Sequence, residues 1–152
     1  MEVIDITKPA LTIHEDSTFE ETVKAMVAKQ TNSLLVVNNE GVLVGEIGMS
    51  DILDAIVPEY LDGDSVSTYF ADSDMFIKAV SDARDTLVSD FMSTNITTIG
   101  AHDSLITVAA LAIASGSTHI PVVDADGKPV GIISRRGVKH IIADALGIPD
   151  SE

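Results

Sequence analysis

Residues 9–57 align on residues 95–143 at a constant offset of 86 positions without a gap, so the chain has to fold as two copies of one unit. Thr12 falls on Thr98, Ile13 on Ile99, Ala28 on Ala114, Val36-Val37 on Val122-Val123, and Gly41 on Gly127. Val44-Gly45 falls on Val130-Gly131, Ile47 on Ile133, and Ile56 on Ile142. These identities collect at apolar strand positions and at turn glycines, where backbone geometry restricts residue choice. With 152 residues in all, two such copies are expected to share one core.

Each copy reads as β-α-β-β-α. A short β-segment (Leu11 to Ile13; Thr97 to Ile99) leads to a helix, opened in the first copy by Ser17 with Glu20 at the capping-box spacing and in the second by Asp103. Phe19, Val23, Met26 and Val27 form the expected buried stripe of one helix; Leu105, Val108, Ala109, Ala112 and Ile113 form that of the other. Two strands follow, Ser33 to Val37 and Val42 to Ile47 about an Asn39-Glu40-Gly41 turn, then Ile120 to Val123 and Val130 to Ser134 about Ala125-Asp126-Gly127. The closing helices begin near Ser50 and Arg135, and the last ends at Gly147 before Pro149. The stretch Pro58 to Ser89 is too long for a plain loop and predicts a helical connector. Its Tyr60, Tyr69, Phe70 and Phe76, interleaved with Asp62, Asp64, Asp72 and Asp74, pack on the core or form a partner-docking surface.

Composition narrows the function. The chain has no cysteine, which excludes disulfides, thiolate metal sites and thiol nucleophiles. A formal charge of −15 disfavours nucleic acid and anionic membranes, which are bound by clustered Lys and Arg. The start Met1-Glu2-Val3-Ile4-Asp5 lacks a basic n-region, and the apolar run Leu105 to Ala114 falls short of the roughly 18 residues of a membrane span. A cytoplasmic location without membrane insertion is expected.

Taken together, the repeats resemble a tandem pair of CBS domains, a Bateman module, over nearly the whole chain. The resemblance rests on Gly45-Glu46-Ile47-Gly48-Met49-Ser50-Asp51 and its counterpart Gly131-Ile132-Ile133-Ser134-Arg135-Arg136-Gly137. It rests also on the lead-in Val88-Ser89-Asp90-Phe91-Met92-Ser93 and on the strand His119-Ile120-Pro121-Val122-Val123-Asp124. It implies an α/β (α+β) fold of two β-α-β-β-α repeats, 1–57 and 90–147, about a pseudo-twofold axis, with a helical connector over 58–89. It also implies clefts between the repeats, an adenosine-containing regulatory ligand such as AMP, ADP or ATP, an energy-sensing role and a homodimer. A regulated transporter or enzyme is the expected protein partner. No catalytic role and no obligatory cofactor are implied.

In the family's motif a first-turn carboxylate takes the ribose hydroxyls, while a Ser/Thr three residues earlier meets phosphate with the helix amides. Here that pair is split. The first copy keeps Asp51, with Ser50 beside it, but has Gly48 for the hydroxyl; the second keeps Ser134 but has Gly137 for the carboxylate. A charge-assisted hydrogen bond is worth roughly 1.5–3 kcal/mol, so the second motif should hold a nucleoside about ten- to a hundredfold less well. One adenosyl ligand with its ribose on Asp51 is therefore expected. Arg135 and Arg136, two of three arginines in the chain, are either solvated or turned to an anion such as phosphate. By resemblance, Thr12, Leu34, Gly45, Ile47, Thr98, His119, Ile120 and Pro121 complete the expected ligand-binding set. A ligand-free dimerisation or scaffold module, or a sensor of S-adenosylmethionine or a cyclic or linear dinucleotide, is the alternative.

Other chemistry finds little footing. Asp62-Gly63-Asp64 and Asp72-Ser73-Asp74 do not match an EF-hand loop. His14, His102 and His140 lack zinc-site spacing. Asp124 and Asp126 read as turn residues, and nothing resembles a hydrolase triad or a phosphate-cradling glycine loop.

Overall fold

The computed structural model describes residues 2–57, 72–116 and 119–149. The expected roles of Tyr60, Tyr69, Phe70, Asp62 and Asp64 lie outside the described residues. The protein is an α+β chain in which both repeats follow the β-α-β-β-α order. The first runs β2 (Thr12–His14), α1 (Phe19–Lys29), β3 (Ser33–Val37), β4 (Leu43–Gly48) and α2 (Met49–Ile56). The second runs β5 (Ile99–Gly100), α5 (Leu105–Ser115), β6 (Ile120–Val123), β7 (Pro129–Ile133) and α6 (Arg135–Ala145). Ahead of the first repeat stand a 3-10 turn, Val3–Ile6, and β1 (Thr7–Lys8). Between the repeats lie α3 (Ser73–Ala83) and α4 (Val88–Phe91).

Contacts divide the chain into two compact units. The first-motif unit comprises Thr12–Asn38 and Val44–Thr94; the second-motif unit comprises Met1–Leu11, Asn39–Leu43 and Asn95–Glu152. Each therefore combines one repeat's motif with the lead-in that precedes the other repeat. In the second-motif unit the strands lie in the order β1-β7-β6-β5, with β1 and β6 antiparallel to β7 and β5 parallel to β6. Thr7 stands opposite Ile133 and Lys8 opposite Ile132. The core of this unit is Val3, Ile6, Ile99, Val108, Ile120, Val122 and Ile133, so the 3-10 turn supplies two of its side chains. In the first-motif unit the order is β2-β3-β4, and Ser93, just after α4, adds an antiparallel bridge to Glu46. Leu34, Val36, Ile47 and Val88 are fully buried there, and Phe19 meets Phe91 edge to face with ring centres 5.7 Å apart.

The first helix of each repeat starts one residue later than the sequence pattern predicts. Thr18, not Ser17, caps α1: its hydroxyl accepts from Glu21 N at 3.2 Å while the Glu21 carboxylate accepts from Thr18 N at 3.1 Å. Ser17 instead has its backbone in the surrounding turn, donating to His14 O and accepting from Val88 N. Likewise Ser104, not Asp103, caps α5, because the Asp103 carboxylate is taken by Gly100 N at 2.7 Å. The buried faces also differ from the expected stripes. Val27 is 73% and Ile113 83% exposed, whereas Thr22 is fully buried with its hydroxyl donated to Thr18 O. Thr18→Ala should lower stability by about 1 kcal/mol, whereas Ser17→Ala should stay within about 0.5 kcal/mol. Thermal melts of the two variants decide which residue is the cap.

Candidate functional site

Asp51 is the third residue of α2, close to where β4 ends and the helix begins. Its two carboxylate oxygens are held from different directions. Oδ2 accepts from Gly48 N at 2.8 Å, and Oδ1 accepts the Ser93 hydroxyl at 2.7 Å. A carboxylate offers about four lone-pair sites, so two remain for a vicinal pair of hydroxyls on an already oriented group. Ser93 is fixed in turn by two backbone bonds of 2.9 Å with Glu46. Gly45 makes this approach possible, since a Cβ there would stand 2.6 Å from Met92 Sδ and 2.9 Å from Ser93 O.

Glu46 adds a second carboxylate to this corner. Burial first, and the Asp51 charge second, push its carboxyl above the ordinary value of 4.5. A raised folded-state value means that stability falls as pH rises through the window between 4.5 and that value, and stays lower above it. Glu46→Gln should therefore raise the melting temperature at pH 7.5, with the difference vanishing near pH 4. Paired melts across this range test the sign; equal melting temperatures at pH 7.5 would show that the charge is not strained.

The second motif is built differently. Ser134 precedes α6 and is 7% exposed; its Oγ neither caps the helix nor meets another hydrogen-bond partner. Arg135 and Arg136 are exposed in the first turn, which carries no acidic residue. Gly137 stands where the ribose carboxylate was sought. A Cβ there would lie 3.2 Å from both Ile6 O and Ile133 Cγ2, so a side chain at this position would press on the 3-10 turn.

The other expected ligand residues fall into two groups. Leu34, Ile47 and Ile120 are 2%, 0% and 0% exposed, and Pro121 is also buried. Their side chains pack in the core. Thr12, Ser50, Thr98 and His119 are exposed. The structure thus gathers Gly45, Ile47, Ser50 and Asp51 along β4 and α2 in one unit. Ile120, Pro121, Ser134, Arg135 and Arg136 come together in the other, where Ile120 pairs with Ile133 and Pro121 with Ile132. Sequence reasoning passed over Ser93 and Glu46. A carboxylate at a strand position occupied by Ile132 in the other copy was the visible sign of the latter.

Elsewhere, acidic side chains do local work. Asp72 caps α3 and accepts from Asp74 N, and Asp124 accepts from Asp126 N and Lys128 N, each at 2.9 Å. Among the described residues no group of three or more His, Asp or Glu side chains converges on a metal position. No helix among them is long and apolar enough to cross a membrane.

This architecture has many known counterparts. The meiotically up-regulated gene 70 protein of Schizosaccharomyces pombe is 31% identical over 140 residues, which are 92% of this chain and 16% of that protein; the chain thus spans about a sixth of that relative's length. Among solved structures, the CBS domain of a CBS domain-containing membrane protein from Sphaerobacter thermophilus matches with a TM-score of 0.73 at 31% identity, over 92% of this chain and 86% of that one. CBSX2 in complex with AMP gives 0.68 at 22% identity, over 95% and 98%. The CBS domain pair of protein MJ0100, in complex with 5-methylthioadenosine and S-adenosyl-L-methionine, gives 0.66 at 22%, over 93% and 99%. The sequence profile of the CBS domain matches twice, over residues 2–58 and 88–144, and with the paired motifs at Gly45–Asp51 and Gly131–Gly137 this makes the chain a member of the CBS-domain family, with two repeats in tandem.

Proposed function

We propose that this CBS pair is a regulatory module that binds one adenosine-containing ligand through its ribose at Asp51, and that a protein partner reads its occupancy. The observation that supports this most is the carboxylate of Asp51, oriented by Gly48 N and Ser93 Oγ with acceptor capacity left over. Relatives of the same fold were solved with AMP, and with S-adenosylmethionine and methylthioadenosine. In this reading 1–57 and 90–147 act as the two repeats and 58–89 as the element that couples them to a partner, a transporter or an enzyme. A homodimer is part of the proposal, and the exposed apolar side chains Ile106 and Ile113 of α5 and Ile142 of α6 give it a surface.

AMP, ADP and ATP remain the first ligands to consider. Glu46 beside Asp51 orders them, because two carboxylates disfavour added phosphate charge. AMP should bind better than ATP at this motif. The same observation favours S-adenosylmethionine, a cationic adenosyl ligand, as a second reading. A thermal-shift screen against AMP, ADP, ATP, S-adenosylmethionine, NAD and cyclic dinucleotides is the test. A ligand at about 100 times its Kd should add near 2.7 kcal/mol of stability. Silence across the panel would favour the ligand-free scaffold instead.

A further inference from the structure

Within the first-motif unit a cavity of about 400 Å³ lies between α1 and α3, with Phe19, Val23, Phe76, Ile77 and Val80 as its apolar lining. We infer that this cavity is a site for a compact aromatic monocarboxylate, its ring among these side chains and its carboxylate on Arg84 and Lys24. The inference is independent of the ribose reading, since Asp51 is not among the described residues that line the cavity.

The cavity follows from how the two helices are joined. Phe19 N donates to Thr86 O at 2.8 Å and Glu20 N to Arg84 O at 3.1 Å, so the end of α3 is fastened to the start of α1. Phe19 and Val23 stand four residues apart on α1, as do Phe76 and Val80 on α3, so each pair shares one helix face. Phe19 is 4% exposed and is held edge to face by Phe91, which makes it a fixed wall. The volume falls within the roughly 300–1,000 Å³ of small-molecule sites, and a mostly apolar lining with a few polar groups is what such sites have in common.

The lining also selects the ligand. Aromatic residues make up 4% of the chain, yet two of its four phenylalanines line this cavity. A rigid ring packs on such side chains in edge-to-face or offset geometry and loses little freedom on binding. The charged side chains of the described lining are Glu20, Lys24 and Arg84, one positive charge in excess within a chain of formal charge −15. Glu20 Oε2 accepts from Arg84 Nε at 2.7 Å, and its Oε1 lies 3.4 Å from Lys24 Nζ. Both oxygens of the one carboxylate are thus engaged, whereas Arg84 spends one of five N–H donors and Lys24 one of three. Lys78 and Asp82, farther round α3, pair at 2.9 Å and cancel each other. Spare donors and a single excess positive charge beside an apolar cavity match one carboxylate on an apolar body, and salt screens the more distant acidic surface beyond roughly 8 Å.

Cinnamate is the probe. Titration of the full chain, followed by two-dimensional NMR, should give saturable shifts at the methyl groups of Val23, Ile77 and Val80. Cinnamamide, which has the same shape without the charge, should bind about fivefold more weakly, the lower end for a charge-assisted pair because Arg84 and Lys24 are exposed. Arg84→Gln should remove the preference for the acid over the amide. Lys78→Gln, on the same helix but outside the described lining, controls for simple loss of positive charge and should keep that preference, as should Asp51→Asn. Absence of saturable binding, equal affinity for acid and amide, loss of the preference in Lys78→Gln, or octanoate binding as tightly as cinnamate would overturn the inference. Loss of adenosine binding in Asp51→Asn with cinnamate binding intact would support two separate sites.

Discussion

Gly131→Ala is expected to lower the melting temperature by about 5–10 °C. An added Cβ at this position overlaps the Lys8 carbonyl oxygen and Thr7 Cγ2, so its obstacle is largely backbone rather than a flexible side-chain end. Thr7 and Lys8 form β1, which pairs with β7 at Ile133 and Ile132 and carries in the 3-10 turn whose Val3 and Ile6 belong to the core. To admit the methyl group, β1 has to lift away from the sheet. Overpacking of this kind costs about 1–3 kcal/mol, and loss of the register places the variant at the upper end. At about 2–4 °C per kcal/mol for a chain of this size, the expected shift follows. Differential scanning calorimetry measures it, and hydrogen exchange at residues 3–8 should rise in the variant. A melting temperature within 2 °C of the parent would mean that the lead-in contributes little to this unit.

Asp51→Asn is expected to weaken the adenosyl ligand by about ten- to a hundredfold while the fold persists. The amide oxygen can still accept from Gly48 N, so the helix start keeps a partner, but the charge and part of the acceptor capacity are lost. Charged hydrogen bonds contribute roughly 1.5–3 kcal/mol, which converts to that range of affinity. Ser93→Ala separates positioning from contact. It removes the 2.7 Å bond to Oδ1 without touching the carboxylate's charge, and should weaken binding by about fivefold, as a net hydrogen bond of about 1 kcal/mol implies. Isothermal titration of the two variants with the ligand found by screening gives both numbers. Equal losses would mean that Ser93 touches the ligand itself.

Much of this was legible before any coordinates. The gapless repeat fixed the element order in both copies, because strand alternation and turn glycines recur at the same offset. Gly41 and Gly127, at φ 81° and 80°, occupy the left-handed turn positions that the pattern assigned to them. The helix starts were less legible. Ser17-Thr18 offers two hydroxyls in a row, Glu20-Glu21 two acids, and Asp103-Ser104 two capping residues, so local spacing alone fits either register. The tertiary bond from Val88 N to Ser17 O helps to settle the first case. Burial of Thr22 escaped for a related reason: its hydroxyl is satisfied within its own helix, which lets a polar residue take a core position.

The motif residues themselves were readable, but their surroundings were not. Gly137 looks like a lost aspartate in the sequence, whereas in the structure it makes room for the 3-10 turn, more than a hundred residues away along the chain. Ser93 reaches Asp51 across 42 positions, a separation at which no periodicity speaks. Such contacts follow from the exchange of lead-ins between repeats, which a linear comparison of the two copies does not reveal. Glu46 is the exception: its charge was visible in an otherwise apolar strand.

The most direct test of the central claim is a two-dimensional NMR titration of the full chain with AMP and, separately, with S-adenosylmethionine, read at the amides of Gly48, Asp51 and Ser93. The account predicts saturable shifts at all three with at least one of these ligands, and their disappearance in Asp51→Asn. Saturable binding that leaves these amides unmoved, or that survives unchanged in Asp51→Asn, would contradict it.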